Sequence, residues 1–371
     1  MTGLDAVLPA LLASLGHPLD PASGDLALPP ARHAVLLLVD GLGRELLDAH
    51  AADAPFLSAL ADAGPLTVGF PTSTPISVTS LGVGLPPGAH GTLGVRFRVE
   101  DTLLDALTWT EGTTDLRERL APERVQPRPT VFERTDVACT VVSDRAYRES
   151  GLTRSALRGA TYRGVGSFGD LAAQILESPP GLVYGYHADL DQLGHLHGPG
   201  SLAWRAQLRM VDHFVAMLAE DLPAGTLLAV TGDHGMVAVD RRYDADTDPA
   251  LREGDPLVGG DPRARLLYTR PGTTADVRAA WTATLGPDAV VVGKEQALDE
   301  SWFGPVEEAV LARVPDLVVA TTGTAAVVRT ESEPVLARLP GQHGSTTSAE
   351  RLVPLLLHPV DAGSTSVSTR S

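Results

Sequence analysis

The feature that most limits the fold of this chain is a series of seven short strand-like runs, several of them apolar without a break. The runs are AVLLLV (34–39), VACTVV (137–142), GLVYGY (181–186), TLLAVT (226–231), RLLYTR (265–270), AVVVG (289–293) and DLVVAT (316–321). Continuous apolar character indicates strands that are covered on both faces. Between two runs, residues 201–222 carry apolar side chains at helical spacing, with Ser201 as the expected N-cap. The sequence therefore predicts an α/β fold with a doubly wound, largely parallel sheet and helices on both faces.

The second half of the chain shows a change of composition that predicts a subdivision. Residues 241–261 are rich in Asp, Gly and Pro and predict a loop, after which strand and helix patterns resume. We predict a core of residues 30–244 and 339–360 that carries the functional site. An inserted α+β subdomain at 245–338 is expected to cover it, and the polar residues 361–371 are expected to form a disordered tail.

Charge and cysteine content exclude several classes of protein. The formal net charge of −17 over 371 residues argues against a partner that is a nucleic acid polymer, although bound metal ions can still attract an anionic substrate. Cys139 is the only cysteine, so an intramolecular disulfide or a thiolate zinc cluster is impossible, and its apolar run predicts a buried strand position. The chain shows no signal-peptide pattern and no membrane-length apolar run, so we expect a cytoplasmic protein without a membrane partner.

Side chains with the chemistry of metal ligands follow several of the strand-like runs. They lie in the strings VDGLG, DQLGH, GDHGM and GQHGS, and they are Asp40, Asp191, His195, Asp233, His234 and His343. Since the carboxyl ends of parallel strands meet at one edge of an open sheet, we expect these side chains to converge. Each residue alone could be a turn aspartate or a loop histidine. Together, three Asp and three His form a suitable donor set for two borderline ions such as zinc.

Local spacing supports this interpretation. Asp191 and His195 are four residues apart, so a helix would place both side chains on one face. Asp233 and His234 are adjacent, and both reach one ion only if the strand ends in a turn, which Gly232 and Gly235 would permit. His197 is a weaker candidate because only its position near His195 supports it.

A hydroxyl candidate for the same site comes from the segment FPTSTPISVTS (70–80), which contains several Ser and Thr residues. Ile76, Ser80 and Val83 have helical spacing, and Pro75 suits the first position of a helix. This places Thr74 at the N-cap, where a metal ion could activate its hydroxyl as a nucleophile. The alternative is that Thr74 only caps the helix.

These motifs resemble the alkaline phosphatase superfamily, and within it the nucleotide pyrophosphatase/phosphodiesterase family. The resemblance covers the chain from Asp40 to His343. FPTSTPIS matches the family's nucleophile string, and GVGLPPGAHG matches the stretch that follows it, with His90 in its trailing HG. It implies that Thr74 is the nucleophile. It also implies one zinc ion on Asp191, His195 and His343, and a second ion on Asp40, Asp233 and His234, with Thr74 bridging to it.

The substrate-recognition positions differ from the family pattern. Pro75 stands where an aromatic residue commonly stacks on a nucleotide base, and neither Gly94 nor Val95 can replace the expected phosphate-binding Asn. Tyr186 falls where the family places a substrate-contacting Tyr.

The activity that the resemblance implies is hydrolysis of phosphodiester or pyrophosphate bonds through a phospho-threonine intermediate. The substrate would be a small phosphate ester, with a nucleotide among the candidates, and the cofactors two divalent metal ions, zinc or alternatively manganese. A phosphonate hydrolase, a phosphomonoesterase, a phosphomutase and a metal-binding protein without activity remain alternatives. The oligomeric state is not predicted.

Overall fold

The computed structural model describes residues 1–19 and 26–360, and its centre is a sheet of seven strands, here called the main sheet. In spatial order the strands are Ala61–Asp62, Leu355–Pro359, Thr226–Thr231, His33–Val39, Leu182–His187, Cys139–Asp144 and Thr161–Val165. The last five run parallel to one another, and Leu355–Pro359 pairs antiparallel with Thr226–Thr231. The predicted fold class is confirmed. The predicted tail at 361–371 lies outside the described residues.

Apolar side chains of the central strand His33–Val39 point alternately to the two faces of the main sheet, and both faces are covered by helices. Val35, Leu37 and Val39 pack against the helices Phe168–Leu176 and Leu202–Asp221. Their neighbours in the strand face the opposite side, where the helices Val7–Ser14 and Thr74–Val83 pack. The remaining helices are Arg44–Ala49, Pro55–Ala59, Pro87–His90, Pro122–Val125, Gly151–Ala156, Asp189–His197, Thr274–Leu285, Lys294–Asp299 and Ser348–Arg351.

The expected helix between two core strands is confirmed as Leu202–Asp221. Ser201 is its N-cap, and its hydroxyl accepts a hydrogen bond from the backbone N–H of Trp204 at 3.3 Å. Cys139 is buried at the start of its strand, as expected.

A second sheet, here called the small sheet, lies within the region predicted as an insertion. Its strands are antiparallel and in the spatial order Leu257–Asp261, Ala264–Tyr268, Leu317–Thr321, Ala289–Gly293. Trp281 of the helix Thr274–Leu285 packs on one face. The other face packs against an antiparallel meander from earlier in the chain, formed by Arg96–Val99, Thr102–Asp105, Thr110–Glu111 and Thr114–Asp115. The domain limits drawn from the sequence stay a prediction.

The loop predicted at 241–261 is wrong at both of its ends. Arg241–Asp244 pairs parallel with Ala325–Val328, and Leu257–Asp261 is an edge strand of the small sheet. The glycines that suggested a loop have a packing role instead. A Cβ on Gly259 would lie 2.4 Å from the carbonyl oxygen of Arg96, so this strand needs glycine to approach the meander.

Short pairings complete the framework. Val237–Ala238 pairs with Gly341–Gln342, and Leu66–Thr67 pairs with Leu352–Val353. The first pairing brings the chain around His343 beside the loop that follows the core strand Thr226–Thr231.

Candidate metal centre

The predicted ligands lie at the carboxyl edge of the main sheet. Asp40 directly follows the strand His33–Val39, and Asp233 comes two residues after Thr226–Thr231. The helix Asp189–His197 begins just beyond Leu182–His187. Because these strands are parallel neighbours, their ends deliver side chains to one place.

Two groups of three side chains have their ligand atoms within 4.8 Å of one another, and they lie in contact. The first comprises Asp191, His195 and His343, and the second Asp40, Asp233 and His234. The imidazole rings of His234 and His343 join the two groups, since their centroids are 3.6 Å apart and the rings are stacked. The structure thus brings all six predicted side chains together, in the grouping that the resemblance implied. Their role as metal ligands stays a prediction.

Thr74 opens the helix Thr74–Val83 at the edge of the second group. Its hydroxyl lies 3.4 Å from Oδ2 of Asp40 and 3.3 Å from Nε2 of His234. The N-cap is Ser73 rather than Thr74, because Ser73 has extended backbone and Thr74 is already helical. Thr74 therefore presents its hydroxyl from the first helical turn, and Pro75 occupies the second position, where its missing N–H is harmless.

Glycine at two positions lets the backbone segments of the site pack closely. Gly41 has a φ of +74°, and a Cβ there would lie 2.9 Å from Cα of Asp191. Its N–H donates a hydrogen bond to Oδ1 of Asp233 at 3.0 Å. A Cβ on Gly235 would lie only 1.9 Å from the carbonyl oxygen of Ala349. The glycines after Asp40 and His234 are thus required by close approach of the chain.

The three histidines share one hydrogen-bonding pattern. Nδ1 of His195, His343 and His234 lies 2.7, 2.8 and 3.0 Å from the backbone carbonyl oxygens of Gly341, Thr72 and Gly235. A neutral imidazole that donates its Nδ1–H to a carbonyl keeps a lone pair on Nε2. Nε2 of His195 and Nε2 of His343 lie 3.2 Å apart. Two lone pairs at this distance suit a shared electrophile.

Asp40 and Asp233 are buried and Asp191 is partly buried, and each has one buried oxygen that makes no hydrogen bond in the described structure. These atoms are Oδ1 of Asp40, Oδ1 of Asp191 and Oδ2 of Asp233. Burial, together with the neighbouring Asp233, raises the pKa of Asp40 to about 8, and burial raises the pKa of Asp233 to about 6. Burial also raises the pKa of Asp191 well above its usual range. Three carboxylates can therefore be ionised here only with a nearby positive charge.

His234 and His343 do not supply that charge. Burial lowers the pKa of His343 well below its usual range, and His234 adds to this effect. Burial also lowers the pKa of His234. The donor set, the unpartnered carboxylate oxygens and the outward lone pairs all fit divalent metal ions, with one group of ligands for each.

The structure gives Tyr186 a contact that the sequence did not predict, because its hydroxyl donates a hydrogen bond to Oδ2 of Asp40. His90 lies 3.0 Å from the hydroxyl of Ser80, and so braces the helix that begins at Thr74. His197 is exposed at the end of its helix and belongs to neither ligand group among the described residues.

Sequence reasoning missed the residues that hold the His343 loop. Arg263 and Glu350 form a fully buried ion pair, with two nitrogens of Arg263 lying 3.0 and 2.8 Å from the carboxylate. Oε1 of Glu350 also accepts from the N–H of Ser345 at 2.9 Å, and its backbone carbonyl accepts from Gly235. The pair thus anchors the loops of two ligand histidines. No spacing in the sequence joins Arg263 to Glu350.

The main sheet carries two Asp/His groups at its carboxyl edge, and solved structures share this α/β fold. The fold is similar to murine ectonucleotide pyrophosphatase/phosphodiesterase 5, an inactive form in complex with AMP, with a TM-score of 0.67 and 17% identity over 88% of each chain. It is also similar to phosphonoacetate hydrolase from Sinorhizobium meliloti 1021 in complex with phosphonoacetate. That TM-score is 0.66, with 20% identity over 89% of this chain and 90% of the other.

The family follows from a match along most of the sequence. Residues 34–346 match the family described as Type I phosphodiesterase / nucleotide pyrophosphatase, and the chain belongs to this family. Family membership indicates a phosphoryl hydrolase. A comparison with curated proteins finds no match.

In the part of the chain that the structure describes, no helix combines the length and the apolar character needed to cross a membrane. The cytoplasmic location inferred from the sequence stays a prediction.

The buried ion pair behind the ligand loops gives a first testable prediction. Glu350→Gln leaves Arg263 buried without a charged partner, so we expect the free energy of unfolding in urea to fall by about 3–5 kcal/mol. Zinc affinity should fall as well, because the ion pair that fixes residue 350 beside the loops of His343 and His234 is lost. The matched control is Glu123→Gln in the half-exposed pair with Arg154, which should change stability by less than about 1 kcal/mol. Equal stability of the two variants would contradict this role.

The raised pKa of Asp40 predicts how pH affects the metal-free protein. Between the unfolded pKa of about 3.9 and the folded pKa of about 8, folded Asp40 holds a proton that the unfolded chain lacks. Stability from this group is therefore lost as pH rises, by at most about 1.4 kcal/mol per pH unit. Metal-free Asp40→Asn lacks this loss, so its stability relative to wild type should increase from pH 5 to pH 8 in urea titrations. Parallel pH profiles would exclude the predicted shift.

Proposed function

We propose that this protein is a metal-dependent phosphodiesterase or nucleotide pyrophosphatase that acts through a phospho-threonine intermediate on Thr74. The observation that supports this most is the position of the Thr74 hydroxyl, 3.4 and 3.3 Å from side chains of one ligand group. The proposed ligands are Asp191, His195 and His343 for one ion and Asp40, Asp233, His234 and Thr74 for the other. Zinc is the proposed metal, with manganese as the alternative.

Electrostatics favour this assignment. Three carboxylates and a Thr74 alkoxide together balance the charge of two divalent ions, so a singly charged phosphodiester can enter the site without net repulsion. Bound divalent ions supply Lewis-acid stabilisation of phosphoryl oxygens and a lower pKa for a coordinated hydroxyl. The ten-residue helix that begins at Thr74 adds the positive end of its dipole beside the phosphate.

The proposed reaction has two displacement steps at phosphorus. In the first, Oγ1 of Thr74 forms a bond to phosphorus and the bond to the leaving oxygen breaks, while the proton that the Thr74 hydroxyl gives up passes to the leaving group, which departs as an alcohol or phosphate. In the second, water attacks the phospho-threonine and the phosphorus–Oγ1 bond breaks, which restores Thr74 with its proton. The hydrogen bond from Tyr186 holds Asp40, so Tyr186 is proposed to orient a ligand as well as to face substrate.

The substrate is proposed to be a small phosphate ester, consistent with the small ligands named for the similar structures, AMP and phosphonoacetate. A phosphonate hydrolase of the same superfamily is the second candidate, because the fold is similar to that of phosphonoacetate hydrolase.

Removal of the Thr74 hydroxyl tests the proposed nucleophile. Thr74→Ala in the zinc-loaded protein should lower turnover by about three orders of magnitude or more, because no nucleophile remains, while metal content stays that of wild type. Thr74→Ser keeps a hydroxyl and should retain measurable turnover. The assay uses p-nitrophenyl phosphate, bis-p-nitrophenyl phosphate and thymidine 5′-p-nitrophenyl phosphate.

Each outcome of this assay has a distinct meaning. Preference for the two diesters supports the phosphodiesterase, and preference for the monoester would replace it by a phosphomonoesterase. Wild-type rates in Thr74→Ala would exclude Thr74 as the nucleophile. If none of the three esters is hydrolysed but phosphonoacetate is, the result would favour the second candidate, a phosphonate hydrolase.

A further inference from the structure

A cavity of about 240 Å³ lies beside the candidate metal centre. It opens between the carboxyl ends of the strands Cys139–Asp144 and Leu182–His187 and the start of the helix Asp189–His197. Tyr186 belongs to both places, since its ring lines the cavity and its hydroxyl binds Asp40. A group attached to a phosphate held by Thr74 can therefore extend into this cavity.

The lining of the cavity has a definite chemical character. The charged residues among the twelve that line it are Asp144 and Asp189, and none of the twelve is Lys or Arg. Burial lowers the pKa of His187 to about 4, so this lining imidazole is neutral at physiological pH. Aromatic rings form much of the remainder. Those of Tyr147 and Tyr186 lie edge to face, with centroids 6.3 Å apart.

The carboxylates at and near the cavity affect the same lining side chain, Tyr147. The pKa of Tyr147 is raised by burial and then by the negative charges of Asp144, Asp40 and Asp189. Asp144 accepts a hydrogen bond from the N–H of Ala146, which fixes the orientation of its side chain at the cavity. Carboxylates and aromatic faces arranged around one space are the elements of a cation site.

The nearby arginines are engaged elsewhere. Arg145 touches the rim at Gly166, but its guanidinium lies 3.5 Å from Asp170 and donates to the carbonyl of Val165. The guanidinium of Arg148 lies over the ring of Tyr162, 5.2 Å from its centroid. The lining of the cavity thus contains two carboxylates and neither lysine nor arginine, which disfavours a further anionic group.

We propose that this cavity binds the organic group of the phosphodiester substrate and selects a cation, an amino or quaternary ammonium alcohol, over a neutral or nucleoside group. The inference rests on the proposed function at the adjacent metal centre. Pro75 agrees with it, because the helix of Thr74 carries no aromatic ring at that position for a nucleobase to stack on. The two carboxylates are proposed to determine specificity through the charge of the substrate.

The test compares two diesters of the same shape. p-Nitrophenyl phosphorylcholine carries a quaternary ammonium, and p-nitrophenyl 3,3-dimethylbutyl phosphate has a neutral carbon in its place. In the zinc-loaded wild type, kcat/KM for the cationic ester should exceed that for the neutral ester roughly tenfold. Asp189→Asn and Asp144→Asn should each lower this ratio several-fold, and Asn at 144 can still accept from Ala146. Asp221→Asn, an exposed carboxylate on another helix, is the control and should leave the ratio unchanged.

The outcomes separate this inference from the proposed function. Three results would overturn the cation site while leaving the phosphodiesterase intact. They are a ratio of the two kcat/KM values near one, a ratio that stays unchanged in both Asp→Asn variants, and a preference for the thymidine ester. If neither diester is hydrolysed, the proposed function fails. Calorimetry on zinc-loaded Thr74→Ala then measures ligand binding and tests the cation site independently of turnover. Tighter binding of phosphocholine than of 3,3-dimethylbutyl phosphate would support the cation site, and equal binding would refute it.

Discussion

Three carboxylates, each with a buried oxygen that makes no hydrogen bond in the described structure, lie at one edge of a parallel sheet and determine the chemistry of this site. In the described part of the chain, the ion-pair partners of Asp40, Asp191 and Asp233 are histidines. Burial keeps two of those histidines, His234 and His343, neutral. Such a cluster is costly in the absence of external positive charge. The fold holds these donors in place beside the Thr74 hydroxyl, and the proposed function assigns them to cations.

The surroundings of the site serve to hold these donors still. Carbonyl oxygens fix the three imidazole rings, and glycine allows the ligand loops to approach one another. The Arg263–Glu350 pair links the small sheet to the His343 loop without exposure to solvent. Arg263 lies in the turn between two strands of the small sheet. The region that was predicted to cover the site therefore also helps to hold the His343 loop.

The sequence carried much of this arrangement because its signals are local. Asp40, Asp191 and Asp233 follow strand-like runs, and a parallel sheet converts that position into proximity. The division of the six side chains into two groups came from the resemblance to the family, and His343 was included because it completes the set. What sequence reasoning could not supply depends on contacts between distant segments. No periodic pattern in the sequence indicates three of these contacts. They are the ion pair of Glu350 with Arg263, the hydrogen bond from Tyr186 to Asp40, and the packing of the meander on the small sheet. The prediction of a loop at 241–261 was wrong at its ends for the same reason, since Gly259 is required by close approach to the backbone of Arg96.

We propose that one metal ion binds to each of the two ligand groups, and anomalous diffraction at the zinc edge from zinc-loaded crystals tests this directly. Two anomalous peaks are expected in each chain. One should lie among Asp191, His195 and His343, and the other among Asp40, Asp233 and His234. A single peak, or zinc bound only at other side chains, would contradict the two-ion centre on which the proposed chemistry rests.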